Sequence, residues 1–380
     1  LSSAASDVYK RQVLYTRNID VASFCCDALG HGNATRICRL YGKGDIRIET
    51  VELEPPRSGE VLVMMGAGGV CGSDLHYFQD GGFGPIRVKE PIVLGHEVAG
   101  KVVEVGPEVF NLKPGDQVAL NPSHPCKDCR FCRMDLFQHC LNMRFFGSAL
   151  RFPHEQGAFR DRMVVKAEQC VFVKDTVTVA EAACAEPLAV CLHARNRAPE
   201  LVGCRVLITG AGPIGLMCAA LAAEAGATEI VVTDLQDVPL NIALKMGATR
   251  VINIAQNQCH LEQFYCDKGY FDVAFECSAA QLAIQSSVDA VRPQGTLVQI
   301  GVTGMVSIPI NTLVGKEINL IGSHRFHGEF AAAVKMIEKR TIDVRPMITG
   351  TFTLEDAANA FEIAGDRSRA VKTQISFSKF

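Results

Sequence analysis

The sequence lacks tryptophan altogether and has few aromatic residues of any kind, 7%, while glycine is abundant at 33 residues. That combination suggests many tight turns and a close-packed α/β fold. A basic excess is also missing: 38 basic and 41 acidic residues leave a formal net charge of −3. A general nucleic-acid binder would carry a basic stripe or surplus, so that class is set aside. No stretch approaches 18 uncharged apolar residues, which argues against a membrane span. The Gly-rich apolar run from Val61 to Gly72 is too short, and Ser73 and Asp74 follow it. Internal repeats, low-complexity linkers and a secretory leader are not visible. What is present is an ordinary globular composition, with 48% apolar residues over 380 positions, enough for two or three domains with large cores. The 16 cysteines, in a long chain without a secretory leader, read as reduced thiols and metal ligands rather than disulfides, and point to the cytoplasm.

Residues 1–33 differ in texture. The run Ser2 to Gln12 has no sustained period of 2 or 3.6 and resembles a scar of translated shotgun assemblies, so the segment is expected to lie outside the fold. A targeting peptide is the competing reading, weakened by the missing apolar region and by Asp7, Asp20 and Asp27. From Ile46 to about Lys174 the segments are short, β-rich and broken by Gly and Pro, with strands expected at Ile46–Val51, Glu60–Met65, Glu97–Val105, Gln117–Leu120 and Arg162–Lys166. Near Thr178 the pattern changes to a helix over Val179–Arg197. A strand–helix alternation follows through Ser323, which indicates a doubly wound parallel sheet. The tail from Phe330 reads helix, strand, helix, strand.

Inside that alternation, Gly210-Ala211-Gly212-Pro213-Ile214-Gly215 follows an apolar strand and opens an Ala-rich helix, and Asp234 ends the next strand, 19 residues after Gly215. This is the dinucleotide fingerprint in its full context. Gly210 allows the tight turn, Gly212 lets backbone approach a pyrophosphate, and Gly215 lets helix and strand pack closely. The N–H groups and dipole of the helix start, at Pro213 and Ile214, face the phosphates. Asp234 can accept from the ribose hydroxyls and would repel a 2′-phosphate, which favours NAD and leaves NADP as the second choice.

Two cysteine-bearing patterns suggest metal. Cys126, Cys129, Cys132 and Cys140 place four thiols within 15 residues, the spacing of a closed structural Zn2+ site. An iron–sulfur cluster and unliganded buried thiols are the weaker readings. Cys71, His96 and Glu97, with Glu186 nearby, offer the mixed S, N and O donors of an open catalytic Zn2+ site. Spacing alone does not show that these four converge.

Taken together, Gly95-His96-Glu97-x2-Gly100-x5-Gly106-x2-Val109, the four-cysteine lobe and the fingerprint resemble the zinc-type medium-chain dehydrogenase/reductase family from about Arg39 to Phe380. The resemblance implies an α/β protein with a GroES-like, β-rich catalytic domain at 34–185 and 325–380, and a Rossmann domain with its doubly wound parallel sheet at 186–324. Glu186, where classical alcohol dehydrogenases have a second cysteine ligand, and Cys71-Gly72-Ser73-Asp74 resemble the polyol branch. The strings around Met143–Ala149, Phe152–His154 and Gly322–Phe326 resemble its sugar-acid-oxidising members. By that resemblance Ser73 and His76 relay a proton, Asp74 supports His96, and Tyr77, Arg144, Phe145 and Arg325 line the pocket for a small sugar acid or polyol. A homodimer or homotetramer is implied, as is reversible oxidation of a secondary alcohol with hydride passing to the nicotinamide. L-Threonine or sorbitol oxidation are the enzymatic alternatives. A non-catalytic nucleotide sensor of the same fold is the remaining one, disfavoured because Cys71, His96 and Glu97 are all present.

Overall fold

The computed structural model describes residues 34–256, 259–302 and 304–377; the reading of residues 1–33 as a segment outside the fold falls beyond them. Strands β1 (Ala34–Gly42) and β2 (Asp45–Glu52) pair side by side, and β1 also pairs with Ile92–Val93. Next come β3 (Glu60–Gly69), helix α1 (Gly72–Asp80), β4 (Glu97–Val105), β5 (Gln117–Leu120), β6 (Arg162–Lys166) and β7 (Cys170–Phe172). Val, Leu and Met at β3 and Val at β4 supply the branched and apolar side chains that fill a sheet face, and Val61, Val63, Met65, Val98 and Val102 are buried there.

After Thr178, whose hydroxyl caps the helix start by accepting from the Glu181 N–H, come α2 (Val179–Ala182) and α3 (Ala185–Arg197). The expected single helix is thus two, divided by a turn at Ala183 and Cys184, where Cys184 stays right-handed but flattens to φ −77° and ψ −1°. That break puts Glu186 in the first turn of α3.

The alternating segment then gives β8 (Arg205–Thr209), α4 (Pro213–Glu224), β9 (Glu229–Asp234), α5 (Asp237–Lys245), β10 (Arg250–Asn253), β11 (Phe271–Glu276), α6 (Gln281–Ala290), β12 (Val291–Gln299) and β13 (Asn319–Gly322). Their strands form a six-stranded, all-parallel sheet in the order β10-β9-β8-β11-β12-β13. The order reverses between β8 and β11, so the crevice for a ligand lies at the C-terminal ends of those two strands. Buried on both faces, β8, β9 and β11 read as near-continuous apolar runs.

The tail contributes α7 (Glu329–Glu338), β14 (Ile348–Thr353), α8 (Ala357–Gly365) and β15 (Lys372–Ser376). The last two strands return to the first sheet, whose order is β7-β5-β4-β3-β15-β14, with β6 also paired to β3. Antiparallel pairing of β15 with β3 sets Gln374 opposite Gly69. The end of the chain therefore lies against the strand that leads into Cys71.

Candidate active site and metal centres

The four-cysteine segment forms a lobe of short turns in which Cys132 and Cys140 are buried against Met143 and Phe145. The sulfur of Cys129 lies 3.6 Å from that of Cys132 and 4.0 Å from that of Cys140, and Cys126 and Cys140 are 3.4 Å apart. A tetrahedron with bonds of about 2.3 Å to a central Zn2+ has edges of about 3.8 Å, so this spacing fits the ion. The backbone N–H groups of Cys126, Cys129, Leu141 and Asn142 point at these sulfurs. N–H groups of Asp128 and Cys129 hold the Cys126 thiol down to about 6, the ionised form a metal requires.

The second group assembles from three elements. Cys71 stands at the start of α1, and His96 and Glu97 at the start of β4; one ligand atom from each lies within 4.8 Å of the others. Gly69 makes this possible, because a Cβ there would sit 2.2 Å from the Glu97 carboxylate. Asp74, fully buried, accepts hydrogen bonds from the Cys71 N–H at 3.1 Å and the Gly95 N–H at 3.2 Å, tying the two ligand-bearing turns together. It faces His96 Nδ1 at 3.6 Å, beyond hydrogen-bond length, and that buried nitrogen has no partner among the described residues. Asp74 thus supports His96 through the backbone as well as through charge.

Burial pushes the Cys71 thiol up to about 12 and the Glu186 carboxyl up to about 8. Cys71, Asp74, Glu97 and Glu186 are all potential anions crowded around one imidazole. One nearby cation is Lys372, fully buried on β15, which bonds Glu97 at 2.6 Å and the Val70 carbonyl at 3.1 Å. A divalent cation supplies the charge this donor set lacks. Glu97 is thus shared between the ligand group and Lys372, a partner that spacing could not reveal.

His96 and Glu186 open onto a cavity of about 480 Å3 lined also by Ser73, Tyr77, Phe145 and Arg325, among others. Glu186 stands on its wall, outside the three-residue ligand group. The Phe145 ring packs 5.4 Å from the His96 ring, and the Arg325 guanidinium lies 4.4 Å from the same Phe145 ring. The Tyr77 hydroxyl accepts from the Ala149 N–H at 3.3 Å. His76, one helical turn beyond Ser73, is exposed and bonds Asp80 at 3.0 Å. Arg144 departs from expectation: it is exposed, pairs with Glu155 at 3.3 Å and lines a separate groove with Glu54 and Arg57. Arg144 and Phe145 are consecutive in one short strand, so their side chains leave opposite faces, and Phe145 takes the inner one.

At the C-terminal edge of the parallel sheet, Gly212 caps α4 and Pro213 opens it. A Cβ on Gly215 would lie 1.8 Å from the Gly210 carbonyl oxygen, so only glycine permits this helix–strand approach. Asp234 accepts from the N–H groups of Ala211, Leu235 and Gln236, at 2.7, 2.7 and 3.1 Å, which fixes its carboxylate beside the turn. Arg367, between α8 and β15, reaches over Gly212 and stands 3.7 Å from Asp234. It brings a cation to the glycine-rich turn from more than 150 positions away in the chain, where no local motif marks it.

Two family descriptions match the chain: the alcohol dehydrogenase GroES-like domain over residues 57–175 and the zinc-binding dehydrogenase over residues 213–339. L-Idonate 5-dehydrogenase (NAD(P)(+)) of Escherichia coli K12 is 39% identical over 344 residues, covering 90% of this chain and 99% of that protein. Sorbitol dehydrogenase of Gallus gallus is 36% identical over 341 residues, covering 88% and 94%. The crystal structure of the E. coli L-idonate enzyme superposes with a TM-score of 0.85 at 38% identity, over 91% of this chain and all of that one. A Sinorhizobium meliloti protein solved with NADP bound superposes at 0.83 with 27% identity, over 91% and 100%. With the GroES-like and Rossmann folds, the two metal-competent groups and the dinucleotide turn all present, the chain belongs to the zinc-dependent medium-chain alcohol/polyol dehydrogenase family and uses zinc and a nicotinamide cofactor.

Proposed function

We propose that the protein oxidises a secondary alcohol of a sugar acid, L-idonate at C5 to give 5-keto-D-gluconate, reversibly and with NAD as the preferred acceptor. The observation that carries this reading is Arg325. Its guanidinium lies in the cavity beside Glu186 and Tyr77, stacks on Phe145, and forms no ion pair with a carboxylate among the described residues. A cation stacked on the ring that also packs against His96 suits a carboxylate several ångströms from the reacting carbon. The relative named for L-idonate agrees.

In this reading Cys71, His96 and Glu97 would hold a zinc ion, which would supply Lewis acidity, and NAD would supply the hydride acceptor. Ser73 lines the cavity and takes the hydroxyl proton; His76, exposed on the next turn of α1, passes it to water. Glu186, Tyr77 and Phe145 shape the wall. The lobes are divided as 34–185 with 325–380 and 186–324. Two thiolate metal groups suit a reducing compartment, so the cytoplasm is the proposed location. Assembly as a homodimer or homotetramer fits the outer edge of β13, which is the last strand of its sheet and lies near exposed Val302, Val314 and Leu320. Light scattering tests that part.

The decisive test compares L-idonate, sorbitol and L-threonine on one enzyme batch. A neutral polyol leaves the half-buried guanidinium unpaired at a cost of about 1–3 kcal/mol, or roughly 10- to 100-fold in kcat/KM. Arg325→Ala should narrow that gap by harming the acid selectively. Sorbitol turned over as efficiently as L-idonate would move the protein to polyol oxidation.

A further inference from the structure

A further cavity of about 390 Å3 lies between the two folds. One wall carries His76, Phe83 and Arg87, from α1 and the segment that follows it; Ser278, Ala279 and Val302, beyond the ends of β11 and β12, form the other. Phe83 and Val302 also line the cavity of the Cys71 group, and a Cβ on Gly210 would stand 3.0 Å from Ser278. This space therefore bridges the glycine-rich turn and the metal-side cavity. A dinucleotide with its adenosine ribose at Asp234 and its nicotinamide beside the substrate must cross it.

The segment after α1 is a hairpin. Gly81 ends the helix in the left-handed region at φ +69°, and Gly82–Phe83 pairs antiparallel with Ile86–Arg87 across Gly84 and Pro85. The Gly81 carbonyl accepts from the Val88 N–H at 3.1 Å, which ties both hairpin ends to the helix. Arg87 folds back along this hairpin: its Nη1 donates to the Ile86 carbonyl at 2.9 Å and to the Gly84 carbonyl. Gly82 leaves room for this, since a Cβ there would meet Nη1 at 2.7 Å and the Ile86 oxygen at 2.3 Å. Arg87 is exposed and forms no ion pair among the described residues. The carboxylates around the cavity are already engaged. Asp80 bonds His76 Nδ1 at 3.0 Å, and buried Glu276 accepts from the N–H groups of Ser278 and Ala279 at 2.8 and 3.0 Å. The residues lining the opposite wall carry no charge.

We propose that Arg87 pairs with the cofactor phosphate that carries the nicotinamide ribose, so that the hairpin clamps this half of the dinucleotide. The proposal rests on reading residues 210–215 as the pyrophosphate cradle. Arg367 stands over Gly212 beside Asp234, whereas Arg87 stands across the cavity from Ser278, on the side of the turn toward the metal group. A guanidinium offers a planar pair of N–H donors to phosphate oxygens. The two carbonyls that hold Nη1 orient it before the cofactor arrives, which lowers the ordering cost of binding. A cofactor filling the cavity displaces water from the pair, so the contact is stronger than one on an open surface. It also brings the nicotinamide ribose to the wall that holds His76, whose ring packs 5.1 Å from Phe83 of the hairpin.

The test uses the zinc-loaded full chain, with NADH fluorescence as the direct probe and ADP and AMP as displacing ligands. ADP keeps the phosphate in question as its terminal group, and AMP lacks it. Arg87→Gln should raise the dissociation constants of NADH and ADP by about tenfold and leave that of AMP within about twofold, with zinc content and unfolding midpoint unchanged. Arg87→Lys, which keeps the charge, should recover part of the loss. Unchanged NADH affinity in Arg87→Gln would overturn the proposal. So would a loss for NADH without one for ADP, which would assign Arg87 to the ribose, or an equal loss for AMP, which would make the hairpin a mere support of the turn. Failure of the parent protein to bind NADH or ADP at all would overturn the cradle reading and this proposal together.

Discussion

Asp234 shows how one carboxylate sets a preference. Its oxygens are fixed by three backbone N–H groups at the end of β9, where a ribose would lie. Leu235 and Gln236 bring no counter-charge for a 2′-phosphate, although Arg367 stands 3.7 Å away. Asp234→Ala with Leu235→Arg should therefore shift the ratio of kcat/KM toward NADP by at least about tenfold, since the change removes a repulsion and adds a phosphate partner. Parallel titrations with both cofactors check this. Asp74 acts through other groups. Asp74→Asn keeps the shape but removes the charge facing His96 and weakens the hold on the Cys71 and Gly95 amides. Zinc affinity of the Cys71 group should fall by about 10- to 100-fold, read by competition with a chelator, while the four-cysteine group keeps its ion.

At the scale of elements, the two metal groups have different tasks. The four-cysteine lobe is built from 3-10 turns and two-residue strands with a small apolar cluster, too little to hold its shape alone. Cys129→Ser should lower the unfolding midpoint, because metal binding there is coupled to local folding. Cys71→Ser should abolish turnover and leave the midpoint nearly in place, since Cys71 is held by α1 and a packed sheet. Thermal melts beside activity assays separate the two. The parallel sheet carries its own charge device at the edge opposite the cofactor. Burial raises the Asp272 carboxyl, but Arg205 and Arg292 outweigh it and hold it down to about 2. The folded value lies below the unfolded value of about 3.9, so this contribution is complete above about pH 4 and is lost as pH falls toward 2. Urea midpoints taken from pH 6 to pH 2.5 should drop further for the parent than for Asp272→Asn.

Across the whole molecule, what the sequence made legible followed from local pattern. Strands β4, β5 and β6 fall at the residues that alternation and apolar runs marked. The fingerprint and the four-cysteine spacing are likewise short-range signals, and their geometry came out as the spacing implied. Legibility ended where contacts span the chain. Lys372 and Arg367 lie in the tail, carry no motif, and meet their partners through a sheet pairing that periodicity does not specify. Arg144, assigned to the pocket by resemblance of the string Met143–Ala149, lies outside it because neighbours in a strand face apart and Phe145 takes the inner side. The helix over Val179–Arg197 divides at Ala183 and Cys184, a turn that helix propensity does not register, and Glu186 follows it on the cavity wall.

The pairing of β15 with β3 has a consequence in time. Lys372 reaches the Val70 carbonyl and Glu97 from 302 and 275 positions further along the chain. During synthesis the ribosome emits β3, α1 and β4, then the whole parallel sheet, before β15 appears. The parallel sheet can close on itself as a unit, but the older sheet must wait beside it with an open edge. Over that interval Glu97 has no ammonium partner, and the pocket around Cys71 lacks one wall. A nascent chain stalled with β15 still inside the exit tunnel should hold NADH-competent structure while surrendering its Cys71-group zinc to a chelator. Release by one further stretch of translation should close the pocket, so a strand made late completes a site whose ligands were made early.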